Sequence, residues 1–362
     1  MRCRCRLRFD SVGDRFSCSL LSRLPRLRPA RPSRQLPEDF HSRFSPSLKR
    51  YVAIKRALGR RWKTERAVLG HWDDFLHREH PQAGRVRAEM FTAWTRELVH
   101  LTSTSNHSYQ RIVRNFLLFH ARDHARTFIP DPLTFPKPAP VVPPRLITET
   151  EIGRVLDAAR QLPPTSANPL RAETVRLGLI LLFCCGLRKG ELLRLQLGDL
   201  ESGQTVLRIR LTKFYKSRLV PLSPSVTAEL KQYLQTRRRK KLPMAAEALL
   251  MWSGHWSSAG YTDTSLHLIW RQLWASTQGP KAPGRSPRLH DLRHSFAVNA
   301  LQRWYAQDTD VPSKLPHLAT YLGHLSAVST HCYLKFTPEL RQSASQRFHQ
   351  HFGVLFTAGG AA

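Results

Sequence analysis

Acidic side chains are scarce in this chain: 26 Asp and Glu stand against 57 Lys and Arg over 362 residues, a formal net charge of +31. An excess of that size repels itself in a compact fold and makes sense when a polyanion is the partner, so nucleic acid is the expected ligand. Long apolar runs are also absent. The longest, Leu177 to Cys185 with one Gly inside, is nine residues. A membrane span needs about 20, so this run reads as a buried helix and no membrane partner is expected. Cysteines are few. Cys3, Cys5, Cys18, Cys184, Cys185 and Cys332 make no CxxC pair and no Cys/His spacing of a zinc site, so no metal is expected. Cys184 and Cys185 fall inside the apolar run, where thiols act as small hydrophobes, and a reducing cytoplasm is the expected compartment. What the chain has is length and apolar content, 41%, enough for two domains with their own cores.

The first 36 residues hold ten Arg and only Asp10 and Asp14 as acids. No apolar h-region of sufficient length follows, which speaks against a secretory signal. Residues 1–45 are expected to be a basic, disordered tail, with a DNA-touching arm as the functional alternative. From 46 to 129, four apolar stripes at helical spacing predict four helices. They are Leu48, Tyr51 and Val52; Val68, Trp72, Phe75 and Leu76; Phe91, Trp94, Leu98 and Leu101; and Tyr109, Ile112, Val113, Phe116 and Leu117. Pro46 suits a first turn, Gly59 stops the first helix, and Thr64 is a candidate N-cap for the second. The faces away from these stripes carry Lys49, Arg50, Lys55, Arg56, Arg60, Arg61, Lys63, Arg111 and Arg114, a positive surface suited to phosphate.

The stretch PDPLTFPKPAPVVPPR, residues 130–145, contains seven prolines. It is expected to be an extended linker with a reach on the order of 50 Å, enough to set two domains on different faces of a duplex. A second domain then runs from 146 to 362. Thr148 and Glu151 are spaced as a capping box ahead of the stripe Ile152, Val155, Leu156 and Ala159. The segment TVLRIRLTKFYKSRLVPLS alternates as strand, turn and strand. Val226, Leu230, Tyr233 and Leu234 mark one further helix, Leu266, Ile269, Trp270 and Leu273 another, and PRLHDLRHSFAVNALQRW opens the last helical group. The fold class expected is mainly α with a small β-sheet.

Four short segments place polar residues where the pattern would otherwise be apolar. GLRKGE supplies Arg188, TKFYKSR supplies Lys213, HDLRH supplies His290 and Arg293 on one helical face, and LGHLSAVSTHCY supplies His324 and Tyr333. Each alone is weak. In this order and spacing, over residues 146 to about 352, they resemble the catalytic domain of tyrosine recombinases, the phage integrase and Xer family. The four predicted helices before the linker resemble, by layout, that family's core-binding (SAM-like) domain. The wording YLGHLSAVSTHCYLKFTPEL resembles recombinases of transposon-type elements that occur in groups of three.

The resemblance implies a site-specific recombinase that cuts and rejoins DNA strands for integration, excision or transposition of a mobile element. Attack on a phosphodiester concentrates negative charge on two non-bridging oxygens, which two guanidiniums can clamp with fixed geometry. By the resemblance that clamp is Arg188 and Arg293, with His324 donating a further hydrogen bond. Tyr333 is the implied nucleophile, forming a 3′-phosphotyrosyl bond. His290 takes its proton, and Lys213 protonates the 5′ leaving oxygen. The bond energy stays in the covalent link, so no cofactor is expected. Glu191 is read as orienting Arg188 or capping a helix rather than as a base. The implied partner is double-stranded DNA, held by a homo- or hetero-tetramer, alone or with sister recombinases, in the cytoplasm at the nucleoid.

The match departs from the family in two places. Thr212 and Phe214 flank Lys213 where the family carries glycines, which keeps Lys216 open as a rival acid. The stretch AQDTDVPSK, residues 306–314, lengthens the segment between Arg293 and His324 and reads as a surface loop. His294 and Cys332 are read as structural. After Tyr333 a tail helix with Leu340 and Phe348 is expected to dock on a neighbouring protomer, with folding back onto its own domain as the alternative. Two rival functions stay open, a catalytically silent DNA-binding accessory subunit and a type IB topoisomerase.

Overall fold

A computed structural model describes residues 40–59, 62–140, 142–210, 217–254, 260–277, 285–307 and 310–323. The architecture is mainly α with one small sheet, and the described chain forms two units, residues 40–142 and 143–323. Among the described residues no helix is long and apolar enough to cross a membrane. The basic tail through residue 39 and the expected tail helix beyond Tyr333 lie outside the described residues.

The first unit holds α1 (Ser45–Ala57), α2 (Lys63–Glu79), α3 (Ala88–Glu97) and α4 (Ser103–His120). The apolar stripes of the four helices meet in one core, with Trp72 and Trp94 fully buried and edge-on at 5.2 Å. The start of α2 differs from expectation. It begins at Lys63, with Trp62 rather than Thr64 in the capping position, at φ +47. A left-handed tryptophan is strained; its ring is buried edge-on against Tyr51 at 5.2 Å. Packing, not capping, sets this boundary.

Two flanking segments are built into this unit rather than hanging from it. Phe40 and Phe44 are buried, and the fully buried Asp73 accepts hydrogen bonds from the backbone N–H groups of His41 and Ser42 and from the Ser42 hydroxyl. Removing that acceptor orphans buried donors. Asp73→Ala should therefore cost on the order of 1.5–3 kcal/mol, read as a lower urea midpoint. At the other end, the proline-rich stretch does not run free over its first ten residues. Phe135 is buried in the core, Arg114 Nε donates to Pro130 O at 2.9 Å, and Ala139 N donates to Thr104 Oγ at 3.0 Å. Arg114 thus commits its Nε to the stretch.

The second unit is arranged around α6 (Arg171–Cys184), whose run from Leu177 to Phe183 is apolar on every side and buried. A helix apolar all round must sit in the middle of its domain. Around it pack α5 (Glu149–Arg160), capped by the reciprocal Thr148 and Glu151 bonds, then α8 (Pro224–Arg239) and α10 (Leu289–Ala306). The short α7 (Lys189–Leu192) follows α6, and α9 (Asp263–Thr277) lies against α5. The sheet is antiparallel in the order β1 (Leu200–Glu201), β2 (Val206–Ile209), β3 (Arg218–Pro221). Arg237, first of the basic run that ends α8, is fully buried with its guanidinium on the carbonyls of Pro243 and Leu249, both at 2.9 Å.

The expected loop at 306–314 is corrected in part. Residues from Val311 belong to α11 (Val311–Leu322), because Asp310 caps Ser313 N and Pro312 suits the first turn. The chain enters this unit along α10. Ile147 N donates to Ser295 Oγ at 2.8 Å, and Arg285 Nη2 donates to Pro143 O at 2.9 Å.

Candidate functional site

The site is built where three helix ends meet. Helix α6 stops at Gly186, whose φ of +59 turns the chain into Leu187 and Arg188; a Cβ there would stand 2.5 Å from Phe296. Arg188 is the extended residue before α7, His290 and Arg293 lie on the first turns of α10, and α11 ends at Gly323 with φ +68. The left-handed conformation at both glycines is what lets two helices end abruptly beside each other.

Arg293 is 1% exposed and bridges two of those ends. Its Nη1 donates to Gly186 O and its Nη2 to Leu322 O, each at 2.6 Å. Arg188 reaches the next carbonyl along, Nη2 donating to Gly323 O at 2.8 Å, and its side chain is 32% exposed. The two arginines thus close on consecutive carbonyls immediately before His324. His290 is open to solvent, yet its pKa is lowered, first by the protein packed around it and then by the Arg293 charge, with Arg188 adding to it and Asp291 opposing. An imidazole held neutral in this way can accept a proton at neutral pH. His294, read from the sequence as structural, meets the His290 ring edge-on at 4.7 Å, and burial, joined by the repulsion two protonated imidazoles would feel there, takes its pKa down to about 4.

Glu191 lies beneath Arg188. Its Oε1 accepts from Arg188 Nη1 at 2.8 Å and its Oε2 from Arg188 N at 2.9 Å, so it both orients that arginine and caps α7. Burial pushes the carboxyl up, but the Arg218 fork and the Arg188 bonds outweigh it and hold the pKa at about 2. Because the folded value lies below the ordinary 4.5, this contribution to stability is fully present above about pH 4.5 and is lost as pH falls toward 2. Glu191→Gln strips two arginines of their counter-ion. It should cost about 3–5 kcal/mol at pH 7, and the gap to the wild-type protein should narrow between pH 4.5 and 3 in urea titrations.

Arg218 was not singled out from the sequence. Its signal was there: the period-2 register of β3 puts it on the same face as the buried Val220, and an inward charge requires a partner. Of the two tyrosines in YLGHLSAVSTHCYLKF, Tyr321 is core. It stacks on Phe296 at 5.4 Å, and burial raises its phenol well above the ordinary 10. Lys213, Lys216, His324, Cys332 and Tyr333 lie outside the described residues.

The model of the phage integrase family matches residues 145–339, more than half of the chain. This chain belongs to the phage integrase family. A Sinorhizobium fredii protein named as an integrase/recombinase, y4rB, is 33% identical over 315 residues, covering 86% of this chain and 98% of that protein. The tyrosine recombinase XerD of Xanthomonas campestris is 27% identical over 317 residues, covering 82% and 91%. The Tn1549 transposon integrase, solved with transposon right-end DNA, shares the fold at a TM-score of 0.58 and 14% identity, over 84% of this chain and 98% of that one. In this integrase-family chain the described Arg188, Glu191, His290 and Arg293 fall inside the matched segment, and the four-helix unit before it lies outside.

Proposed function

We propose that this integrase-family chain is a site-specific DNA recombinase that cleaves and rejoins strands through Tyr333, serving the movement of a mobile element. The reading rests chiefly on one observation: Arg188 and Arg293, 105 apart in sequence by their numbering, converge on the carbonyls of Gly323 and Leu322, directly before His324. Two fixed guanidiniums near the His290 imidazole suit a phosphate whose non-bridging oxygens gain charge during attack.

In the proposed reaction the Tyr333 hydroxyl oxygen bonds to phosphorus while the bond to the 5′ oxygen breaks. The phenolic proton passes to the neutral His290, and the leaving oxygen takes a proton from the hairpin lysine, Lys213 or its rival Lys216. The 5′ hydroxyl of a second strand then reverses the step, which restores Tyr333 and conserves the phosphodiester count. Exchange between two duplexes requires four such cuts, so the working assembly is proposed to be a tetramer on DNA, alone or with sister recombinases.

The test traps the covalent state. The full-length protein is mixed with nicked duplexes from both ends of the DNA element that encodes it, and detergent-resistant adducts are digested and sequenced by mass spectrometry. A nucleotide remnant on the peptide containing Tyr333 is the expected result. Tight binding of the same duplexes with no adduct would sink the proposal and leave an accessory DNA-binding subunit as the better account.

A further inference from the structure

Arg218 commits every nitrogen of its guanidinium. Nε donates to Tyr321 O at 2.7 Å, while Nη1 and Nη2 donate to Oε1 and Oε2 of Glu191 at 3.0 and 2.8 Å. Its side chain is 10% exposed and that of Glu191 is 2% exposed. The residue also stands in the last pair of the β2–β3 ladder, Ile209↔Arg218, at the base of the hairpin that carries Lys213. One side chain therefore touches the α7 start, the α11 end and the hairpin base.

We propose that Arg218 is a positioning residue that sets the Arg188 clamp, the end of the β2–β3 ladder and the Gly323 turn in one frame. This rests on the recombinase reading above. Glu191 Oε1 is shared between Arg218 Nη1 and Arg188 Nη1, so the direction of Arg188 depends on a carboxylate that Arg218 pins from the other side. The same guanidinium flanks Gly323, where a Cβ would lie 2.9 Å from Arg218 Nη1 and 3.4 Å from Arg188 Nη1. The two arginines thus hold that turn between them.

Stability alone does not explain this choice. A buried ion pair is commonly matched or bettered by an apolar pair of the same volume, because desolvating two charges offsets their attraction. What an apolar pair lacks is direction. A planar fork fixes both carboxylate oxygens while Nε reaches a third acceptor on another element, and a lysine ammonium offers no such fork.

The experiment measures single-turnover adduct formation per DNA-bound protein on the nicked element-end duplexes, with thermal melts alongside. The full-length wild type, Arg218→Lys, Arg218→Met and the double variant Arg218→Met/Glu191→Leu are compared. Arg218→Lys keeps the charge and should still slow adduct formation about 10–100-fold, with DNA binding little changed. The double variant replaces the ion pair with an apolar one, so its melting temperature should rise above that of Arg218→Met, which leaves the Glu191 carboxylate buried without its fork, while its rate stays at least about 10-fold down. A double variant that forms adduct at the wild-type rate would overturn the proposal, since Arg218 would then serve the fold alone. Should Arg218→Met fail to fold, the lysine and double variants decide. A wild-type protein that forms no adduct would instead overturn the recombinase reading, and this proposal with it.

Discussion

Tyr333→Phe should bind element-end DNA within about twofold of the wild-type protein and lose covalent attachment by at least about 10⁴-fold. The variant removes one oxygen. The ring, and whatever packing it makes, stays, so a loss confined to adduct formation isolates nucleophilicity from structure. The other tyrosine of the stretch offers no substitute. Tyr321 is stacked on Phe296 with its phenol raised well above 10 by burial, so neither its exposure nor its acidity suits attack on DNA. Adduct from the Phe variant at the wild-type level would assign the chemistry to another residue and refute the role given to Tyr333.

Arg293→Lys is expected to reduce adduct formation by about 10²–10³-fold, the scale seen when one donor to a developing oxyanion is removed. Two losses combine. An ammonium cannot bridge Gly186 O and Leu322 O as the guanidinium does at 2.6 Å to each, so the α6 and α11 ends lose their shared tie. In the proposed clamp a lysine would also lack the planar donor set that suits two phosphate oxygens at once. A side chain that is 1% exposed has no room to re-solvate, so a lower melting temperature should accompany the loss of rate. Cleavage within about threefold of wild type would place the clamp elsewhere.

Much of the fold is legible from local chemistry. The Thr148–Glu151 box, the apolar second half of α6 and the stripes of α1, α2 and α4 are features of short windows, and each forms as the window predicts, whereas α3 ends at Glu97, short of Leu98 and Leu101 of its stripe. What escaped depends on distant partners. Nothing near Arg237 says that its guanidinium will be buried on the Pro243 and Leu249 carbonyls while its basic neighbours face water. Nor does the proline content of 130–140 reveal that Phe135 will anchor that stretch in the first core. At the candidate site, Arg188, His290 and Arg293 stood out because three polar residues interrupt apolar patterns at recognisable spacings. Arg218 did not, because its meaning lies in Glu191, which is 27 residues away in sequence. Trp62 and Val311 show the same limit on a smaller scale. In one, tertiary packing overrides a plausible cap; in the other, a short capped turn looks from composition like a loop.

The two glycines at the helix ends bear on how such a gene decays. A copy could keep all six polar side chains named above and still be inert if either glycine drifted to a larger residue. At Gly186 a methyl would press into Phe296 and displace the carbonyl that Arg293 holds; at Gly323 it would enter the space between Arg188 and Arg218. Both positions also require a left-handed backbone that residues with a Cβ resist. Inventories of defunct relatives that score only the reacting side chains would therefore count some broken genes as intact.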